Sequence, residues 1–151
     1  MSAEHDNLIR IDEVVGTSAQ ISQLYRLLSD REYCISHESL PTYAEHSAFV
    51  LSKPYKAWYL VFIEFAPVGS FYVQEDNSVG INLTEHSRKL VATIINFIHS
   101  TVPLSKETPS KIPPYFAINI PLKNQALKET LTELGHTPIQ TTFRINLPLG
   151  N

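Results

Sequence analysis

Few side chains in this sequence combine a reactive group with a setting that would sharpen it. Glu64 is the one charge inside the apolar run WYLVFIEF, residues 58–65. Burial in such a strand would disfavour the charged carboxylate and turn it into a useful general base, the alternative being a solvated place at the strand's edge near Pro67. His37 and His46 flank Pro41. Imidazole titrates near neutrality, so each is a candidate base or substrate ligand, against the alternative of a helix surface or a hydrogen-bonded core. The six histidines, at 5, 37, 46, 86, 99 and 136, show neither HxxxH nor His–Cys spacing, and no metal site is expected. Cys34 stands alone, and a thiol without a paired base more often packs than attacks. Tyr55, Trp58, Tyr59, Phe71 and Tyr72 would make a stacking platform for sugar or base rings, or, because strand alternation turns half of them inward, core.

The elements that must position these groups follow from periodicity. Residues 8–15 alternate up to Gly16 and suit a first strand. Ser18 is the expected cap of a helix in which Ile21, Leu24, Leu27 and Leu28 share one face and which runs to Asp30. Thr42, with Glu45 three positions on, marks a second helix that Pro54 closes. Residues 58–65 read as a central strand covered on both faces. Ala66-Pro67 turns the chain into residues 68–74, and residues 75–78 turn it into 79–83, completing an antiparallel meander. Leu90, Val91, Ile94, Ile95 and Ile98 define a third helix that ends before Pro103, and a Pro-rich loop to Pro114 leads to a strand over residues 115–120. Asn124 caps a last helix that ends at Gly135, and residues 138–147 supply a final strand. The expectation is an α/β chain with a mixed sheet, strands one to four antiparallel and four and five parallel, in a single domain over residues 1–151.

Composition limits the partners. The chain has 151 residues, 43% hydrophobic and 18% charged, values of an ordinary globular core. A net charge of -3 gives no broad cationic field for a phosphate backbone, so no nucleic acid is expected. No apolar run approaches the ~20 residues of a bilayer span, and acidic residues occupy the first twenty positions where a signal's apolar region would sit. With one cysteine, a reducing cytoplasm is the expected compartment. A homodimer stays open.

The element order, together with residues 115–145, YFAINIPLKNQALKETLTELGHTPIQTTFRI, resembles the GNAT superfamily of acyl-CoA-dependent N-acyltransferases over almost the whole chain. Asn124, Ala126, Leu134 and Gly135 fall in the register of the family's last helix, with His136 in place of the usual Phe, and Gly69 and Gly80 match glycines of its third and fourth strands. TYAEHSAFV, residues 42–50, is similar to members that acetylate amino groups on nucleotide sugars.

This resemblance implies transfer of an acetyl group from acetyl-CoA to a primary amine of a small molecule by direct attack, with Glu64, His46 and His37 as the base candidates. It places backbone N–H groups of Ile81, Asn82 and Leu83 at the thioester, and the cofactor further against Asn119, Asn124 and the loop Ser87-Arg88-Lys89-Leu90-Val91-Ala92. His86 would then meet phosphate or solvent. Two departures stand out. Leu90 fills a glycine position of the pyrophosphate loop, adding bulk where phosphates approach, and Leu131 stands where many active members carry a Tyr that protonates the departing thiolate. A binding or regulatory domain that no longer catalyses is the alternative.

Overall fold

The computed structural model describes residues 8–31 and 39–148. Its elements run β1 (Ile9–Glu13), α1 (Ser18–Ser29), α2 (Tyr43–Leu51), β2 (Ala57–Ile63), β3 (Ala66–Val73), β4 (Ser78–Leu83), α3 (Arg88–Thr101), β5 (Ala117–Asn119) and α4 (Gln125–Glu133). The five strands lie in sequence order in one sheet, antiparallel except for the parallel β4–β5 pair. That is the mixed α/β sheet the sequence predicts.

β2 explains the sheet's two cores. Tyr59 and Val61 face α3 and α4 in a large cluster with Phe71, Val79, Ile94 and Leu127. Leu60 and Phe62 turn the other way, onto Ile21 and Leu24 of α1 and Val50 of α2. A strand with period-two geometry and apolar residues at every position is what two covered faces require.

The helix ends are set locally. Thr17, not Ser18, caps α1, in a reciprocal box with Gln20, and Ser18 is the first helical residue. At the other end of the chain, Gly135 adopts φ +93, a left-handed conformation that suits a residue without Cβ. Gly135 N–H donates to the Thr132 carbonyl and His136 N–H to that of Leu131, both at 3.0 Å, so a Schellman motif ends α4.

Three expectations are corrected. Glu64 does not lie within the central strand: β2 stops at Ile63, and Glu64 and Phe65 form the turn to Ala66, with Glu64 exposed and at φ +55. Leu90 is not loop bulk at a phosphate site but a core residue, 1% exposed, with Val91 beside it at 0%. Residues 138–147 form no strand. Phe143, Ile145 and Leu147 are 83%, 93% and 91% exposed, because alternation supplies strand propensity but a strand also needs a partner edge, and β5 offers only three residues.

Candidate functional site

A cavity of about 980 Å³ opens between the α1–α2 side of the sheet and the ends of β4 and β5. Its origin is a row pattern. Register places Trp58, Tyr72 and Gly80 side by side across β2, β3 and β4, and Leu60, Ser70 and Asn82 in the next row. On this face β3 and β4 therefore present Ser70, Gly80 and Asn82 where the opposite face presents Phe71, Val79 and Ile81. Small and polar residues leave space that the two helices do not fill.

The sheet itself parts at the cavity. Ala117 N–H donates to the Asn77 carbonyl at 3.1 Å, which sets the phase of β5: Ala117, Asn119 and then residue 121 face β4. Residue 121 is Pro121, which has no N–H to extend the ladder. The β4–β5 pairing accordingly ends at Gly80↔Asn119, while β4 continues to Leu83. Thr84 N–H donates to the Val68 carbonyl at 2.8 Å, so alternate residues Ile81 and Leu83 direct their N–H groups to the β5 side. Leu83 lies beyond the last paired residue, and Ile81, Asn82, Leu83 and Thr84 all line the cavity. Preorganised backbone donors of this kind suit a carbonyl oxygen that gains negative charge.

On the helical wall, Thr42 caps α2 by accepting from Glu45 N–H at 3.2 Å, and His46 follows one turn in, 4% exposed. Its Nε2 lies 3.2 Å from the Ile21 carbonyl. A carbonyl only accepts, so Nε2 holds the proton and Nδ1 keeps its lone pair. Burial lowers the His46 pKa, opposed by that same hydrogen bond, and the ring stays neutral at pH 7. In that form the ring can accept a proton at Nδ1.

Aromatic rings close one end. Tyr55 and Tyr72 stack with centroids 3.9 Å apart, and Trp58 meets Tyr55 edge-on at 5.0 Å. Burial, assisted by the neighbouring Tyr72, pushes the Tyr55 phenol up to about 12, with Arg31 acting the other way. The rings of Tyr59 and Phe71 instead stack on each other in the core on the far side of the sheet.

The predicted site residues divide sharply. His46, Ile81, Asn82, Leu83 and Asn124 come together on the cavity wall. Asn124, 6% exposed, also caps α4 by accepting from Leu127 N–H at 3.2 Å. Ser87 caps α3, accepting from Leu90 N–H at 3.2 Å. Arg88 and Lys89 follow as the first two residues of α3. The Arg88 guanidinium is turned to α4, donating to the Glu133 carbonyl at 3.1 Å with the Glu133 carboxylate 3.9 Å away, and the Lys89 side chain has interactions of its own. Leu90 and Val91 point into the core, Ala92 is half-buried within α3, and Asn119 is exposed and off the cavity wall. Glu64 is likewise off the wall and lacks the burial its role as base required. His37, and Cys34 with it, lie outside the described residues. Sequence reasoning missed Arg31, Ser70 and Thr84 on the wall. The signal for the last two was the small or polar alternate positions, Ser70 in GSFYV and Gly80, Asn82 and Thr84 in VGINLT.

Among the described residues no group of His, Cys, Asp or Glu is placed to hold a metal ion, and no helix is long and apolar enough to cross a membrane. No family model matches the sequence, and no curated protein matches it. Among solved structures, the chain is similar to a possible acetyltransferase from Clostridium difficile 630. The match has a TM-score of 0.55 at 10% identity, covering 95% of this chain and 99% of that one. The mixed α/β fold is thus shared with that protein over nearly the whole of both chains.

Proposed function

We propose that this chain is a GNAT-type N-acyltransferase that moves an acetyl group from acetyl-CoA to the primary amine of a small molecule bound in the cavity. The observation that carries the reading is the parting of β4 from β5 at Pro121, directly over the cavity. It leaves the Leu83 N–H where a thioester carbonyl oxygen would meet it. Support also comes from the fold shared with a possible acetyltransferase.

The amine nitrogen attacks the thioester carbon, forming a C–N bond, and the C–S bond then breaks. Negative charge on the carbonyl oxygen is met by the Leu83 N–H. His46, neutral with a free Nδ1, takes the proton that the amine sheds, a contribution of ~10²–10⁴-fold. CoA leaves as the thiolate and takes its proton from solvent, since Leu131 is 8% exposed in the core and supplies no acid. The N-terminus of α3, which begins at Arg88, and the dipole behind it suit an anion. Ser87 already takes the Leu90 N–H, which leaves less of this helix end for a pyrophosphate, and acetyl-CoA should bind weakly.

Thiol release from acetyl-CoA with a panel of primary amines tests the reading. Turnover is expected with at least one amine, and H46Q should lower kcat/KM by ~10²-fold or more with the folding midpoint retained. Acetyl-CoA binding without turnover would instead favour a binding domain that no longer catalyses. Leu131 at the place of the thiolate's acid is the observation on that side.

A further inference from the structure

Two buried N–H donors of the cavity wall, Arg31 Nε and Trp58 Nε1, have no hydrogen-bond partner among the described residues. They are the only buried side-chain polar atoms among the described residues in that condition. Arg31 pairs with neither carboxylate that shares its wall, Asp30 or Glu45, since the ion pairs of the described residues are Arg10–Asp12 and Arg88–Glu133. Its charge nevertheless reaches the cavity's aromatic end, where it opposes the upward shift of both Tyr55 and Tyr72. A guanidinium and an indole N–H in one wall are donors only, and what satisfies them must accept. A neutral acceptor would do for the indole. A guanidinium at a partly buried site calls for an anionic oxygen, to which it binds in a fork. Both nitrogens are covered from solvent, so a ligand must displace side chains to reach each of them, and no hydrogen bond or ion pair to a described residue holds the Arg31 side chain against such a turn. Tyr55, Trp58 and Tyr72 line the same wall and give the body of the ligand an apolar neighbourhood.

We propose that the amine acceptor of this cavity carries an anionic oxygen group, a carboxylate or a phosphate, that Arg31 holds with Trp58 Nε1 as the second donor. The word acceptor rests on the acyltransferase reading, whereas the anion site does not. Asp30 and Glu45 on the same wall complement a ligand that bears an ammonium as well as an anion, which is the charge pattern of such a molecule before it loses its proton to react.

Calorimetry on the full chain without acetyl-CoA tests the site, using pairs of probes that differ only in the anion. These are phenylalanine against phenethylamine for the carboxylate, and glucosamine phosphate against glucosamine for the phosphate. One anionic probe should bind at least ~tenfold tighter than its partner that lacks the anion, and which pair shows the gap identifies the source of the anion. The gap should collapse in R31Q, survive in part in R31K, and shrink in W58F, with folding midpoints measured for each variant. Equal binding within both pairs, a gap that survives in R31Q, or no binding of either anionic probe at millimolar concentration overturns the proposal. Thiol release from acetyl-CoA is scored separately: a gap that depends on Arg31 without turnover keeps the anion site and removes the acyltransferase reading, and turnover without the gap does the reverse.

Discussion

Tyr72 lies flat between Tyr55 and Gly80: its ring is stacked on that of Tyr55 at 3.9 Å with planes 8° apart, and a Cβ added to Gly80 would fall inside it. Gly80 is the cross-strand partner of Tyr72, so the missing side chain on β4 is the seat for the ring on β3. This arrangement holds the aromatic end of the cavity in place. G80A should therefore destabilise the protein by about 1–3 kcal/mol in chemical denaturation, as overpacking does. The double variant G80A/Y72A should be less unstable than the two single losses summed, because the clash disappears with the ring. Additive losses would mean that Tyr72 does not rest on Gly80.

Leu90 gives a second test. Fully packed against the sheet, it should cost about 2–5 kcal/mol when cut to alanine. Leu90→Gly, which would open a phosphate loop if Leu90 stood in one, should lower stability further and leave acetyl-CoA binding no tighter. An unchanged folding midpoint with improved binding would contradict the core position.

His46 makes stability depend on pH. Its folded-state pKa lies below the ordinary 6.5 because burial disfavours the imidazolium. The unfolded chain thus takes up a proton first as pH falls, and His46's contribution is fully present above pH 6.5 and lost as pH drops below it. The thermal midpoint should decline on acidification from that point, and H46Q should flatten the decline. Tyr55 works at the opposite limit. With its pKa at about 12 against an ordinary 10.0, its contribution is whole below pH 10 and lost as pH rises toward 12. Phenolate absorbance in Y55F should lack one late-titrating group.

Asn77 ties the long loop before β5 to the sheet. Wholly buried, it accepts from Ser105 N–H at 2.8 Å and donates to the carbonyls of Ser105 and Pro113 at 3.3 and 2.9 Å. N77A leaves three backbone groups without partners and should cost about 2 kcal/mol or more. Hydrogen exchange should show the loop loosened, and β5 with it, since Ala117 N–H also depends on the Asn77 carbonyl.

The tail after α4 should contribute almost nothing to stability. Phe143, Ile145 and Leu147 are nearly fully exposed, so ending the chain at Thr137 should move the thermal midpoint by less than ~2 °C. A fall of several degrees would show that these residues pair with a sheet edge in solution.

What the sequence by itself determined is the element order, the two-sided β2, and helix ends such as Thr42, Asn124 and Gly135. Each is encoded in neighbours a few residues apart, through periodicity or a single capping side chain. Tertiary structure decided the rest. The apolar run around Glu64 reads the same whether the turn falls before it or after it, and only the pairing of Ile63 with Ala66 puts the carboxylate in the turn. Leu90 occupies a family loop position by alignment, but the helical face it shares with Val91 and Ile94 takes it into the core. The cavity is a property of rows, Ser70 beside Asn82 and Tyr72 beside Gly80. Rows exist only once register is set between strands distant along the chain. The unpaired donors of Arg31 and Trp58 belong to the same class. A missing partner is a relation in space, and the sequence shows the donors alone.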